Sequence, residues 1–275
     1  MESFQTMLPS PALAPYVRYY WLLETDSPVL GTERVIPSGN VQMLFYRGNP
    51  IRFSSSLDER LVDNQVLLSG QFIGFSDLSF TGTIKILAVI FRTHAASAFF
   101  RMPVSELCNR KVSADEAGDR ELQELEDRIL YEADDLNCIR LVERFLLSRL
   151  NPPKEHNLER MFSAIHTINR SKGEVRISDL ASSVFLSTKQ FQRVFTGHVG
   201  ISPKEFLRIV RFQHALYVLQ SNPGMSFSQL AYECGFYDQS HLINEFKVFS
   251  GYTPKEYLAA CAPHSDYFSQ EDEGG

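Results

Sequence analysis

LASSVFLSTKQFQRVFTGHVGISPKEFL, residues 180–207, and LAYECGFYDQSHLINEFKVFSGYTPKEYL, residues 230–258, are two copies of one pattern, and their common reading decides the fold of the C-terminal third. In the first copy Leu180-Ala181 leads to Phe191, Phe195, Gly200 and Pro203-Lys204-Glu205-Phe206-Leu207. In the second, Leu230-Ala231 leads to Leu242, Phe246, Gly251 and Pro254-Lys255-Glu256-Tyr257-Leu258. The spacings agree except for one extra residue beside Gly235, where a turn absorbs it.

Each copy spells helix, turn, helix. Ser178 and Ser228 are placed to cap a short helix whose Leu and Ala face inward, the small Ala letting a second helix cross closely. A longer helix then starts near Ser187 or Asp238 and buries an i, i+4 pair, Phe191 and Phe195 or Leu242 and Phe246. It stops at Gly200 or Gly251, where a left-handed residue is cheapest. Ser202-Pro203 and Thr253-Pro254 restart the chain as a cap followed by proline at the first helical position. Pro203 to Gln220 then reads as one unbroken helix, roughly 27 Å long at about 1.5 Å per residue. That is comparable to the ~34 Å between successive major grooves on one face of DNA.

The outward faces of the two longer helices carry the functional expectation. Thr188, Lys189, Gln192, Arg193 and Thr196 point away from the first apolar stripe. Gln239, Ser240, His241, Asn244 and Lys247 are left over in the second. Gln and Asn pair with adenine edges, Arg and Lys with guanine edges, and Ser or Thr with either or with phosphate. One such helix is equally well read as a solvated face; two at matched spacing favour a reader of double-stranded DNA.

The net charge of −6 conceals an uneven distribution. Residues 1–153 hold 15 Lys and Arg against 20 Asp and Glu, residues 154–263 hold 12 against 9, and the remainder none against 4. A mildly basic segment between two acidic ones permits phosphate contact without demonstrating it. With 44% hydrophobic and 22% charged residues the composition is that of an ordinary globular chain. Cys108, Cys138, Cys234 and Cys261 are far apart and read as reduced packing residues. No apolar run approaches the ~18 residues that span a bilayer, so a cytoplasmic protein is expected.

Toward the N-terminus, Tyr16–Glu24, Val41–Tyr46, Val66–Ile73 and Ile84–Phe91 read as strands divided by turn residues, and favour an antiparallel sandwich or barrel. Helices follow at Ala95–Arg101, Asp119–Tyr131 and Asn137–Leu150. Asn151-Pro152-Pro153 marks a domain boundary. The expected fold is thus α+β in two domains: a β-rich sensory domain over 1–112, linking or dimerisation helices over 113–151, an all-α tandem helix-turn-helix domain over 155–262, and a disordered acidic tail over 263–275.

One histidine, His94, precedes residue 154, so a His-rich metal centre is not expected. Ser38 and Cys108 lack an evident base, and neither a phosphate loop nor a nucleophile elbow appears; no enzyme, metal or cofactor is expected. Trp21, Met43, Phe45 and Phe72 are the candidate lining of an apolar effector pocket, although plain core is the commoner role for each. The alternative for this half is a protein-binding or dimerising module without ligand, in which Leu122, Leu125 and Ile129 pair between two chains as a homodimer; packing of that stripe onto the chain's own sheet is an equally good reading of it.

The C-terminal segment resembles the DNA-binding domain of the AraC/XylS family of bacterial transcription regulators over about Leu158 to Leu258. The matching motifs include Leu186-Ser187, Phe191-Gln192-Arg193, Gly200-Ile201-Ser202-Pro203, Arg211, Gly235-Phe236, Gln239-Ser240-His241, Phe246-Lys247 and Gly251-Tyr252-Thr253-Pro254. That resemblance implies that Lys189, Gln192 and Arg193 read bases in one groove and Gln239, Ser240 and His241 in the next. Thr196 in the first unit and Asn244 in the second stand where many members carry a basic residue; with Lys189 and Arg193 on the first face and mostly uncharged groups on the second, the first unit is expected to dominate. The N-terminal half more loosely resembles the cupin-like sensory domains of such regulators, through Tyr16–Trp21 and the Pro37-Ser38-Gly39-Asn40 turn. A small-molecule effector is the partner this implies, with RNA polymerase a further one if the protein activates.

Overall fold

Two long strands, Val17–Val35 and Ser76–Phe91, organise the N-terminal half, each built on β-branched and aromatic runs. The computed structural model describes residues 2–55, 59–63, 65–151 and 155–260. Its strands are β1 (Glu2–Met7), β2 (Val17–Val35), β3 (Gln42–Gly48), β4 (Ile51–Ser55), β5 (Glu59–Val62), β6 (Val66–Ser69), β7 (Ser76–Phe91) and β8 (Lys111–Ser113). β2 and β7 pair antiparallel from Val17 opposite Phe91 to Val35 opposite Ser76, with an irregularity between Ser27 and Gly31. The other edge of β7 is shared: β3 pairs with its Ile84–Ile90 half and β4 with its Ser76–Phe80 half. All pairings are antiparallel, and the main path runs β1-β2-β7-β3-β6-β8. Four of these strands lie where the sequence predicts them. β1, β4, β5 and β8 are short or polar and were not predicted.

The sheet is apolar on both faces. One carries Trp21, Leu44, Tyr46, Phe53, Phe80 and Ile86. The other carries Met43, Phe45, Val89 and Phe91, and is covered by helices α1 (Arg120–Leu130) and α2 (Asp135–Arg149). Asp119 caps α1, accepting from the Leu122 N–H at 3.2 Å, and its second carboxylate oxygen accepts from Arg149 near the end of α2 at 2.6 Å. Leu122, Leu125 and Ile129 are buried in this core. Of the two readings of that stripe, packing on the chain's own sheet is the one observed, in place of a dimer seam: an amphipathic face looks the same whether it covers its own sheet or a second chain.

The C-terminal part is helical: α3 (Glu155–Arg170), α4 (Ile177–Ser183), α5 (Thr188–Val199), α6 (Pro203–Ser221), α7 (Phe227–Glu233), α8 (Gln239–Ser250) and α9 (Pro254–Ala260). The predicted starts and stops hold for the longer helices. Ser187 and Ser202 each form a capping box, Asp238 caps α8 through the His241 N–H, and Gly200 and Gly251 end α5 and α8 with φ of 92° and 75°. The caps of the short helices are corrected. Ser226 caps α7 in a box with Gln229, leaving Ser228 inside the helix. Ser178 lies inside α4, whose flanking Arg176 makes no side-chain cap. The Ser226-Phe227-Ser228-Gln229 run was the legible signal for α7, because Ser-x-x-Gln satisfies two orphan N–H groups at once.

α6 is the strut between the copies. Phe206 meets Phe195 of α5 at 5.7 Å between ring centroids, and Phe212 meets Phe246 and Phe249 of α8 at 5.1 and 5.0 Å. Arg208 of α6 forks onto the buried Glu245 of α8 at 3.0 and 2.7 Å. Pro152-Pro153 and the tail over 263–275 lie outside the described residues.

Candidate functional site

The predicted reading faces are presented to solvent. Thr188, Lys189, Gln192 and Arg193 of α5 are exposed, while Thr196 is half-buried. On α8, Gln239, Ser240, Asn244 and Lys247 are exposed. The first face carries two exposed cations, Lys189 and Arg193, at its N-terminal half, the end that enters a groove in helix-turn-helix docking.

The second face is more constrained. The Ser228 hydroxyl donates to the Gln239 side-chain oxygen at 2.8 Å, which leaves the Gln239 amide hydrogens turned outward as donors. His241 is half-buried, and its Nδ1 accepts from the Tyr237 N–H at 3.3 Å. That contact places the remaining ring proton on Nε2, available to an acceptor on a base edge. Sequence reasoning placed Gln239 and His241 opposite the buried stripe of α8 and could not see this pre-orientation.

The far ends of both reading helices are held by the N-terminal half. At the end of α5, buried His198 lies 3.4 Å from the Ser97 hydroxyl, and Gly200 sits against Val104. His94 stacks edge-on against Phe162 of α3. Burial, with Arg92 and His198 nearby, pushes its imidazole down to about 4; burial lowers His198 as well, so both rings are neutral at pH 7. At the end of α8, Arg34 donates to the Ser250 carbonyl at 3.1 Å and lies over the rings of Tyr252 and Phe75. A bidentate pair with Asp77 at 2.7 and 2.9 Å fixes the Arg34 fork. In the middle, Gln213 of α6 donates to the Pro37 carbonyl at 2.5 Å.

Behind these contacts the sheet encloses a cavity of about 110 Å³. Of the four sequence candidates, Trp21 and Phe72 line it. Met43 and Phe45 do not: they lie on the opposite face under α1 and α2, and their neighbours Leu44 and Tyr46 face the cavity instead. The run over β3 is buried on both faces, so it shows no alternation from which a face could be read.

Polar residues in the wall that sequence reasoning did not single out include Arg34, Lys111 and Gln71. Lys111 is buried, its ammonium 4.1 Å above the Phe53 ring and 4.5 Å from that of Phe72. Gln71, also buried, donates to the Gly39 carbonyl at 2.8 Å, while its side-chain oxygen has no hydrogen-bond acceptor role among the described residues. The Tyr46 hydroxyl is held far above its ordinary range by burial and stays protonated. Cys234 is buried beneath α7 and α8, with its thiol pushed up to about 12 by burial, and behaves as a packing residue. Among the described residues no His, Cys, Asp or Glu group is arranged to hold a metal, and no helix is long and apolar enough to cross a membrane.

Comparison with known proteins bears on both halves. Residues 180–260 match a family profile described as a helix-turn-helix domain, and residues 5–113 match one described as a domain of unknown function, DUF6597. Among curated proteins the chain is similar to an uncharacterised HTH-type transcriptional regulator of Haemophilus influenzae, 30% identical over 93 residues, 34% of this chain and 31% of that protein. It is also similar to the Msm operon regulatory protein of Streptococcus mutans, 28% identical over 120 residues, 42% of each chain. The chain thus spans about a third to two fifths of the length of these relatives. Among solved structures, ToxT from Vibrio cholerae covers 94% of this chain and 98% of its own at a TM-score of 0.46 and 12% identity. The two relatives are named as regulators rather than as enzymes. With two matched helix-turn-helix copies braced on one strut, the chain carries an AraC-type helix-turn-helix domain over residues 180–260, similar to that of the HTH-type regulators it matches.

Proposed function

We propose that the protein is a sequence-specific transcription regulator of the cytoplasm whose residues 155–262 bind double-stranded DNA through α5 and α8 in successive major grooves. The observation that carries this reading is the pair of exposed faces on α5 and α8, held by the single helix α6. α6 has 19 residues, hence roughly 28 Å at 1.5 Å per residue, close to one turn of DNA. Phosphates are met by the basic balance of this half, and base identity is read by Thr188, Lys189, Gln192 and Arg193, then by Gln239, Ser240, His241, Asn244 and Lys247. Selection of duplexes from a random pool by the full chain tests it directly. Arg193→Ala is expected to cost roughly 1 to 3 kcal/mol on the selected duplex and to relax preference at one base pair. An equal loss on every sequence would show Arg193 to be a phosphate contact.

The N-terminal half, residues 1–112, is the control element in this reading. Its cavity is smaller than the usual ~300–1,000 Å³ of drug-sized sites and near the ~150 Å³ that accepts one benzene ring, so a single-ring or short-chain effector fits best. Arg34, Pro37 and Gly74 line it and also border α6 or α8, which gives an occupant a route to the spacing of the reading helices. At a hundredfold excess over Kd an effector stabilises by about 2.7 kcal/mol, a rise of roughly 5 to 10 °C in Tm. Thermal-shift screening of the full chain with small aromatic and short-chain compounds should yield such a rise. Ile86→Phe, which fills the cavity, should remove it. Uniformly flat responses would eliminate the effector.

A further inference from the structure

The turns of the two helix-turn-helix copies are the same hydrogen-bonded structure. In the first, the Phe185 N–H donates to the Ser182 carbonyl at 3.1 Å and the Leu186 N–H to the Ala181 carbonyl at 2.9 Å. In the second, Gly235 donates to Tyr232 at 3.3 Å and Phe236 to Ala231 at 2.9 Å. This is the paired-bond helix terminus whose central residue must be left-handed. Gly235 takes that place with φ of 66°, and a side chain there would collide with the Glu174 carboxyl group. In the first copy the same place is held by Phe185, at φ of 56°.

A phenylalanine is poorly suited to that backbone, since the left-handed region costs a residue with a Cβ roughly 1 to 2 kcal/mol. Packing does not offset the cost, because Phe185 is 88% exposed. The second turn also displays an aromatic ring by different means. Its extra residue relative to the first copy is Tyr237, 92% exposed and immediately before the Asp238 cap of α8. Phe185 stands two residues before the Ser187 cap of α5. Each reading helix is therefore preceded by an exposed ring, one on a strained backbone and one on an inserted residue.

Neither the backbone nor the core of this chain accounts for the two rings, whereas their position does. They adjoin the N-terminal ends of α5 and α8, the ends that enter the groove in helix-turn-helix docking. We infer that Phe185 and Tyr237 are DNA contacts, apolar edges that pack on the sugars and thymine methyl groups bordering each half-site. The inference rests on the DNA-reading function proposed above and adds two specificity residues to it. Thymine methyls are the groups in the major groove that favour apolar contact. Unlike Lys189 and Arg193, the rings release no counterions, so their contribution is independent of salt.

The test uses the full chain and the duplex that the wild type enriches from a random pool. Phe185→Gly reproduces the residue of the second turn, and Phe185→Asn keeps a residue that tolerates the left-handed backbone; Tyr237→Ser treats the other turn. The Phe185 variants are expected to match or exceed the wild-type Tm while losing about tenfold in affinity for the selected duplex, with an unchanged slope of log affinity against log salt. Tyr237→Ser should lose a similar factor. Affinity within twofold of wild type in both Phe185 variants would overturn the inference for the first turn and point to a protein partner for that ring. The same result for Tyr237→Ser would overturn it for the second. If the wild type enriches no sequence at all, the DNA-reading function itself fails, an outcome distinct from either.

Discussion

Phe212→Ala should destabilise the chain by about 3 to 5 kcal/mol and remove recognition of the second half-site. Phe212 is fully buried at the centre of α6, with its ring against both Phe246 and Phe249 of α8. Truncation leaves a cavity that two rings border and cannot fill without moving α8, so the loss exceeds the transfer energy of the side chain. α8 is then tied to α6 mainly by the Arg208–Glu245 fork, which holds one end of the contact. Urea unfolding gives the first quantity and binding to duplexes with either half-site scrambled gives the second. A cost under about 1 kcal/mol, or equal weakening at both half-sites, would contradict the placement of α6 as the strut.

Asp119→Ala is the second large effect, expected at about 3 to 5 kcal/mol in the N-terminal half. Its two oxygens do different things: one caps α1 at Leu122, and the other meets Arg149, with side-chain exposures of 6% and 8% in that pair. Removal strands a buried guanidinium whose remaining carboxylate, Glu121, is 3.5 Å away and half exposed. The double variant Asp119→Ala with Arg149→Met should recover a good part of the loss, because the stranded charge goes with it. If the double variant were no more stable than Asp119→Ala alone, the cap rather than the ion pair would carry the energy.

These expectations divide along the line between local and non-local information. The helix ends of the C-terminal half were readable because capping, glycine termination and the i, i+4 apolar pairs act within a few residues. Ser187, Ser202, Asp238, Gly200 and Gly251 all sit where the sequence places them. The misplacement of the α7 cap at Ser228 rather than Ser226 concerned two serines of equal local merit, separated by whether Gln229 answers in return. The exposed reading faces followed from the same periodicity, since residues opposite a buried stripe face solvent.

The N-terminal half yielded less because its strands are buried on both faces, so alternation no longer distinguishes cavity from core. That is why Met43 and Phe45 were assigned one residue out of phase with Leu44 and Tyr46. Leu122, Leu125 and Ile129 were recognisable as a stripe and could not be assigned a partner, because the stripe carries no information about what covers it. Arg34, Gln71 and Lys111 were invisible as functional residues for a related reason: each acts through groups tens or hundreds of positions away.

The sequence by itself determined the tandem helix-turn-helix repeat, the ends of its longer helices and the residues its two long helices present outward, because hydrogen-bonding caps and helical periodicity are properties of contiguous chain. Only the tertiary structure decided which face of the sheet holds the cavity, what covers the α1 stripe and how the cavity wall at Arg34 and Pro37 meets the ends of the reading helices. Those depend on contacts such as Arg34 with Ser250 and Pro37 with Gln213, 216 and 176 positions apart, whose pairing is settled by packing of the whole chain and by no local preference.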